Sequence, residues 1–260
     1  MSAAPVAPPG PGATADQGPL RELSRRAFVE HVMGLPVSVH VRGDVEGPEV
    51  RTAVSQVFGL LRRADSVFST WRHDSDLMKV RRGELSTEAA HPWLAEVEAL
   101  CVAAAARTGG LFTADYAPET GHDPTGLVKG WAVEKAAAHL SHVPRISFCV
   151  NAGGDLVAGA GQGAAPTTWH VGIEDPEHPG SVRATVPLSR GGLATSGAAA
   201  RGAHIVDPRT AMALDRPGSA SVWGPTLLWS DVWATALFVD PELGRRALEK
   251  TDPAYRCLVL

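Results

Sequence analysis

The chain has 260 residues, of which 44% are hydrophobic and 20% charged, and its formal net charge is −4. That balance belongs to a globular chain able to bury its own core, and it offers no basic face or run of the kind nucleic-acid binders carry, so nucleic acid is not an expected partner. No stretch approaches the roughly 18 consecutive apolar residues of a membrane span, so a cytoplasmic protein without a membrane anchor is expected.

Residues 1–22 are rich in Ala, Pro and Gly and lack both a basic start and a continuous apolar run, which predicts a disordered tail. Residues 23–260 are then expected to form one compact domain. In PVSVHVRG, Val37, Val39 and Val41 alternate with polar neighbours at the period of a half-buried strand. A helix is predicted from Pro48 to Arg63, with Val50, Val54, Phe58 and Leu61 at spacings of three and four and proline in its first turn.

FSTWRHDSDLMKV breaks this rhythm. A second helix runs from about Pro92 to Arg107, with Leu94, Val97, Cys101 and Ala104 on one face and Gly109 and Gly110 as its stop. DPTGLVKGWAVEKAAAHL predicts a third, capped by Asp123 or Thr125. RISFCV, NAGGD and LVAGAG read as strand, tight turn and return strand. TTWHVGIED, RATVPLS, GAHIVDP and ASVWGP carry further short strands, WSDVWATALFV gives a helix and YRCLVL a closing strand. Hairpins mixed with helices argue for α+β architecture. Cys101, Cys149 and Cys257 are far apart without metal-ligand spacing and read as reduced core residues.

Four features bear on chemistry. Asp231 and Thr235, four residues apart, share a helix face and offer two hard oxygen donors of the kind Mg²⁺ takes; equally, they fit a carboxylate interacting with a helix dipole and a threonine bonding back to its own helix. Asp123 followed by GLVKG brings backbone close to a ligand at Gly126 and sets Lys129 one turn into a helix, where a phosphate would fit, as would an ordinary capped helix with a surface lysine. NAGGD, Asn151 to Asp155, suits an anion or a plain hairpin turn. TSG, Thr195 to Gly197, precedes HIVDPRT, where His204 is a candidate acid or base, although a lone histidine is more often structural.

Taken in order, nine blocks resemble the ApbE family of FAD:protein FMN transferases: MG at Met33, FSTWRHDSDL from Phe68, TGGLF from Thr108, DPTGLVKGWAVEKA from Asp123, NAGGD from Asn151, WHVGIEDP from Trp169, ATSG from Ala194, HIVDPRT from His204 and SDVWATALF from Ser230. The resemblance implies an ApbE-like, T-fold-like mixed sheet with flanking helices. It implies Mg²⁺ held by Asp231, Thr235 and the main-chain carbonyl of Gly126, with Asp231 essential to catalysis. It places FAD, the substrate, against Asp123 and Lys129, with Met33, Trp71 and the segment Leu111, Phe112 and Thr113 on the flavin side, and His204 in catalysis.

The implied reaction moves the FMN half of FAD to a threonine or serine hydroxyl of an acceptor flavoprotein and releases AMP. The alternatives are an FAD pyrophosphatase giving FMN and AMP, and a weakened FAD-binding protein. The chain departs from the family pattern where Phe112 is followed by Thr113 and Ala114 and the connection to Asp123 is short, and where Ala199 and Ala200 precede Arg201.

Overall fold

The computed structural model describes residues 24–116, 121–198 and 205–260. The expected 1–22 tail lies outside these residues, as does His204. The chain opens with a hairpin of β1 (Arg25–Val32) and β2 (Leu35–Gly43). Its two-residue turn, Met33 and Gly34, has positive φ at both positions (56° and 73°), the demand of a type I′ turn.

α1 (Pro48–Phe68) follows with proline in its first turn, then α2 (Asp76–Arg81), whose cap is the Ser75 hydroxyl accepting the Met78 amide at 3.2 Å. α3 (Trp93–Thr108) stops at Gly109, which takes the left-handed conformation that glycine reaches without a Cβ clash. α4 (Thr125–Ala137) leads through a short 3-10 turn into the hairpin of β3 (Ile146–Ala152) and β4 (Asp155–Ala160). A second hairpin, β5 (Trp169–Glu174) and β6 (Val182–Leu188), precedes β7 (Gly191–Gly197). The short pair β8 (Val206–Asp207) and β9 (Met212–Ala213), β10 (Ser219–Gly224), α5 (Leu227–Val239), α6 (Pro241–Thr251) and β11 (Arg256–Val259) complete the order.

Seven strands form one sheet in the order β1-β2-β3-β4-β7-β10-β11. The α+β class is as expected, and every pairing in this sheet is antiparallel. Hairpins and returns through the helix layer or the β5–β6 hairpin bring each strand back against its neighbour, so no parallel crossover is made.

The central strands of the sheet are buried on both faces. Phe148, Val150 and Ala194 point into the helix layer of α1, α4 and α5, whereas Cys149, Leu156, Ala158 and Leu193 point to the β5–β6 hairpin and meet Ile173, Val186 and Leu188. Alternation along β3 and β4 thus feeds two apolar clusters, which explains why RISFCV reads as a near-continuous apolar run. Cys101 and Cys149 are buried, Cys257 is half-buried, and all three are free thiols. Burial pushes the Cys101 and Cys149 thiols up to about 12, so both are protonated and inert near neutral pH.

Among the helices, α5 is the most enclosed. It lies on β7 and β10 with α4 and α6 beside it, and Leu227, Val232, Trp233 and Leu237 have no exposed surface. Each such side chain contributes about 1.5–3 kcal/mol by leaving water. A carboxylate on this helix therefore sits where water is excluded.

Candidate functional site

Asp231 is that carboxylate, only 4% exposed. A buried charge is costly unless it is paired and hydrogen-bonded, and the structure supplies both. The amide of Gly130 on α4 donates to Asp231 Oδ2 at 3.1 Å, and the Lys129 ammonium stands 3.7 Å from Oδ1. Asp231 is the fifth residue of α5, past the first turn, which is capped by Thr226. Its partners come from a neighbouring helix, and so its role is not that of a dipole partner for α5.

Lys129 also forms an ion pair with Asp155, a second carboxylate at 1% exposure, at the first position of β4. Asp155 Oδ1 accepts the amide of Thr195 on β7 at 3.2 Å. One helical turn beyond Asp231, the Thr235 hydroxyl meets the Ser196 hydroxyl at 3.1 Å. Among the described residues, two buried carboxylates thus face one ammonium, with two hydroxyls alongside.

Lys129, Asp231, Thr235 and Ser196 border a cavity of about 320 Å³, with Asp155 behind Lys129 and outside its lining. Its polar wall is Thr125, Gly126 and Lys129 of α4, Gly153, Thr195 and Ser196 of the sheet, and Asp231 and Thr235 of α5; Leu111, Phe112, Thr113 and Tyr116 form the wall after α3. Phe112 packs on the first turn of α4, 3.7 Å from where a Cβ on Gly126 would stand. Thr125 and Gly126 of that turn line the cavity, which sets the positive end of the helix dipole beside it, a place suited to an anion.

The donor set suits a hard divalent cation. Mg²⁺ takes one or two carboxylates together with other oxygens, and the cavity lining offers Asp231, Thr235 and Ser196. Gly126 adds a main-chain oxygen. In a regular helix its carbonyl would own the Gly130 amide, which here also serves Asp231, so that carbonyl shares its donor.

Two contacts between α4 and α5 fix this arrangement. A Cβ at Gly130 would lie 2.9 Å from Asp231 Cβ and 3.3 Å from the Leu227 carbonyl, so α4 approaches α5 this closely only with glycine there. Glu134, one turn on, accepts the Leu228 amide at 2.9 Å and ties the same two helices together. Burial raises the Glu134 carboxyl above its ordinary value, against the opposing hydrogen bonds from Leu228 and Leu227. Gly130→Ala, which helix propensity alone would make stabilising by about 1 kcal/mol, is expected instead to cost about 1–2 kcal/mol through overpacking. Thermal melting checks this, and a variant that melts higher than wild type refutes the close approach.

Of the residues singled out in the sequence, Leu111, Phe112, Thr113, Gly126, Lys129, Asp231 and Thr235 come together around one cavity. Asp123 sits just behind the wall, where its carboxylate pairs with Arg81 at 3.3 Å and accepts the Thr125 amide at 3.0 Å. Met33 occupies the β1–β2 turn, outside the lining; that hairpin reaches the site through the Gly153 amide, which donates to the Pro36 carbonyl at 3.3 Å. Trp71 is 96% exposed and also outside the lining. Asp155, the ionic partner of Lys129, was visible in the sequence only as the end of a glycine turn.

Residues 117–259 match the model of the ApbE family. The chain belongs to that family. The matched span holds Asp123, Gly126, Lys129, Asp155, Asp231 and Thr235, and it begins after Leu111–Thr113. Two curated relatives are named FAD:protein FMN transferase: that of Haemophilus influenzae is 29% identical over 133 residues, covering 47% of this chain and 38% of the relative. That of Klebsiella pneumoniae is 26% identical over 164 residues, 59% of this chain and 47% of the relative. The chain thus spans less than half the length of either. Among solved structures, an ApbE protein of Thermotoga maritima superposes with a TM-score of 0.74 at 20% identity, covering 91% of this chain and 94% of its own. The apo form of the flavinyl transferase ApbE of Pseudomonas stutzeri gives 0.73 at 20% identity, covering 92% and 91%. These likenesses establish the ApbE fold.

Proposed function

We propose that the protein is a magnesium-dependent FAD:protein FMN transferase, which moves the FMN half of FAD onto a threonine or serine hydroxyl of an acceptor flavoprotein and releases AMP. The observation that carries the reading is the convergence of the buried Asp231 with Lys129, Thr235 and Gly126 around one cavity at the start of α4. The names of the two curated relatives agree with it.

FAD joins FMN to AMP through a diphosphate. In the proposed reaction the acceptor oxygen bonds to the FMN-side phosphorus while the bond from that phosphorus to the bridging oxygen breaks, and AMP departs with the bridging oxygen. Crowded negative charge is the obstacle. Mg²⁺, held by Asp231, Thr235 and the Gly126 carbonyl, would offset charge on the diphosphate oxygens and on the leaving phosphate.

The chain's own groups supply the rest. Lys129 and the first amides of α4 attract the diphosphate; Leu111 and Phe112, both 5% exposed, offer apolar surface to a flat ring. Asp155 orients Lys129 by ion pairing from the opposite side of the site. We assign His204 the acceptor's proton, and Met33, Trp71 and Asp123 a place around bound FAD.

The test is incubation of the protein with FAD, Mg²⁺ and a flavin-acceptor domain, followed by gel fluorescence and intact mass of the acceptor. Covalent FMN on the acceptor with equimolar AMP is expected. AMP and free FMN with an unmodified acceptor would make the protein a pyrophosphatase, and intact bound FAD would make it a binding protein; either refutes transfer.

A further inference from the structure

His122, just ahead of α4, is gripped at both ring nitrogens by carboxylates. Nδ1 stands 2.7 Å from Asp115 Oδ1, and Nε2 stands 2.8 Å from Glu98 Oε2 and 2.9 Å from Glu98 Oε1. A neutral imidazole has one N–H and one lone pair, so one of these contacts would set a lone pair against a carboxylate; only the imidazolium donates to both. The bridge joins α3, which carries Glu98, to the wall segment that carries Asp115.

That wall segment ends in Tyr116, which lines the cavity. Tyr116 hydrogen-bonds to the Asp123 carboxylate, and burial, with that neighbouring charge, pushes its phenol up to about 12, so it stays a donor. Asp123 in turn donates its amide to the Ala114 carbonyl at 2.7 Å and pairs with Arg81, whose guanidinium also donates to the His122 carbonyl at 2.9 Å. Asp115 precedes Tyr116 and His122 precedes Asp123. The bridge therefore holds both backbones of the Tyr116–Asp123 contact.

We propose that protonated His122 is a positioning residue of the nucleotide cavity: by bridging Glu98 and Asp115 it sets Tyr116 in the wall, and FAD affinity falls as rising pH opens the bridge. This rests on the flavin reading of the cavity. Among the described residues, the charged groups acting on His122 are Glu98 of α3 and Asp115 of its own connection, and Arg81 of α2 reaches its main-chain carbonyl. Burial lowers the affinity of His122 for its proton, but the two carboxylates outweigh it and raise the group above its ordinary 6.5. The sign follows from that direction. A raised folded value means the bridge is whole below the unfolded value and is lost as pH climbs through the folded one.

Because His122, Glu98 and Asp115 are 39%, 42% and 76% exposed, the effect is modest. The test compares wild type, His122→Gln and Glu98→Gln by FAD titration with Mg²⁺ from about pH 6 to about pH 9, and by hydrogen exchange of the apo proteins across 111–116 at a fixed pH near the lower end. Wild-type Kd for FAD is expected to rise about three- to fivefold over that range, the scale of an exposed ion pair. His122→Gln should show the weaker Kd throughout with no such rise, Glu98→Gln should move the rise to lower pH, and both should exchange faster at 111–116. Equal exchange in all three overturns the bridge without any nucleotide. Normal FAD binding with one pH profile in all three overturns its role in affinity. Failure of every protein to bind FAD, with exchange still faster in the variants, refutes instead the flavin reading and with it the ligand named here.

Discussion

Asp231→Asn is expected to abolish the magnesium response of the proposed transfer, and with it at least about 99% of turnover, while the protein stays folded. Outer-shell partners of a metal commonly cost 10- to 100-fold when removed, so a direct carboxylate ligand should cost at least about 100-fold. Asparagine keeps the size of the side chain and an oxygen able to accept the Gly130 amide that now bonds Oδ2 at 3.1 Å. It removes the charge, and Lys129 keeps Asp155 as its ionic partner. Mg²⁺ titration in the presence of FAD, beside a thermal melt, separates the effects: lost Mg²⁺ response at an unchanged Tm is the expected result. Full turnover in the folded variant would remove Asp231 from the chemistry.

Asp231→Ala is a harsher change. It also strips the acceptor from the Gly130 amide in a place where α4 and α5 exclude water, and a buried donor left unmatched costs about 1–3 kcal/mol. Comparing the two variants therefore divides what Asp231 does for the helix pair from what it does for a cation.

Much of this arrangement was legible in the sequence because it is local. The spacing of Val50, Val54, Phe58 and Leu61 announces α1, whose buried face includes all four, and NAGGD announces the turn from β3 to β4. The offset of Asp231 and Thr235 places them on one face before any tertiary contact is known. The unread elements have weaker patterns. β1 is an edge strand with charge at Arg25, Arg26 and Glu30, so its alternation carries little apolar contrast. The six-residue α2 is too short for periodicity, although Ser75 ahead of it is a cap signal. α6 carried a plain signal in Asp240 followed by Pro241, where the Asp240 carboxylate accepts the Leu243 amide at 3.0 Å. The pairing of Lys129 with Asp155 lay beyond reach for a different reason. It depends on α4 lying against β4, a packing that no local pattern specifies.

The sharpest stability prediction concerns a glycine whose reason is equally non-local. Gly192 lies in β7, and strand propensity alone would favour alanine there by about 0.5–1 kcal/mol. A Cβ at that position would stand 2.3 Å from Leu227 Cα and 2.4 Å from Leu227 N, closer than real Cβ atoms come to anything, and the obstacle is backbone. Neither side can yield cheaply. β7 is clamped between β4 and β10, and the start of α5 is tied down by the Ser230 hydroxyl, which reaches the Gly192 carbonyl at 3.2 Å and the Thr226 carbonyl at 2.9 Å. Gly192→Ala should therefore cost about 3 kcal/mol or more, at the upper end of overpacking penalties, and lower Tm by roughly 6–12 °C. Gly59→Ala is the control: Gly59 lies inside α1, nothing stands within 4 Å of its missing Cβ, and helix propensity should raise stability by up to about 1 kcal/mol. Since α5 carries Asp231 and Thr235, the displacement forced by the added methyl group should also weaken the proposed Mg²⁺ binding in the molecules that remain folded. A Gly192→Ala protein that melts no lower than wild type would mean that β7 and α5 are not in backbone contact, and the placement of both metal-side residues would fall with it.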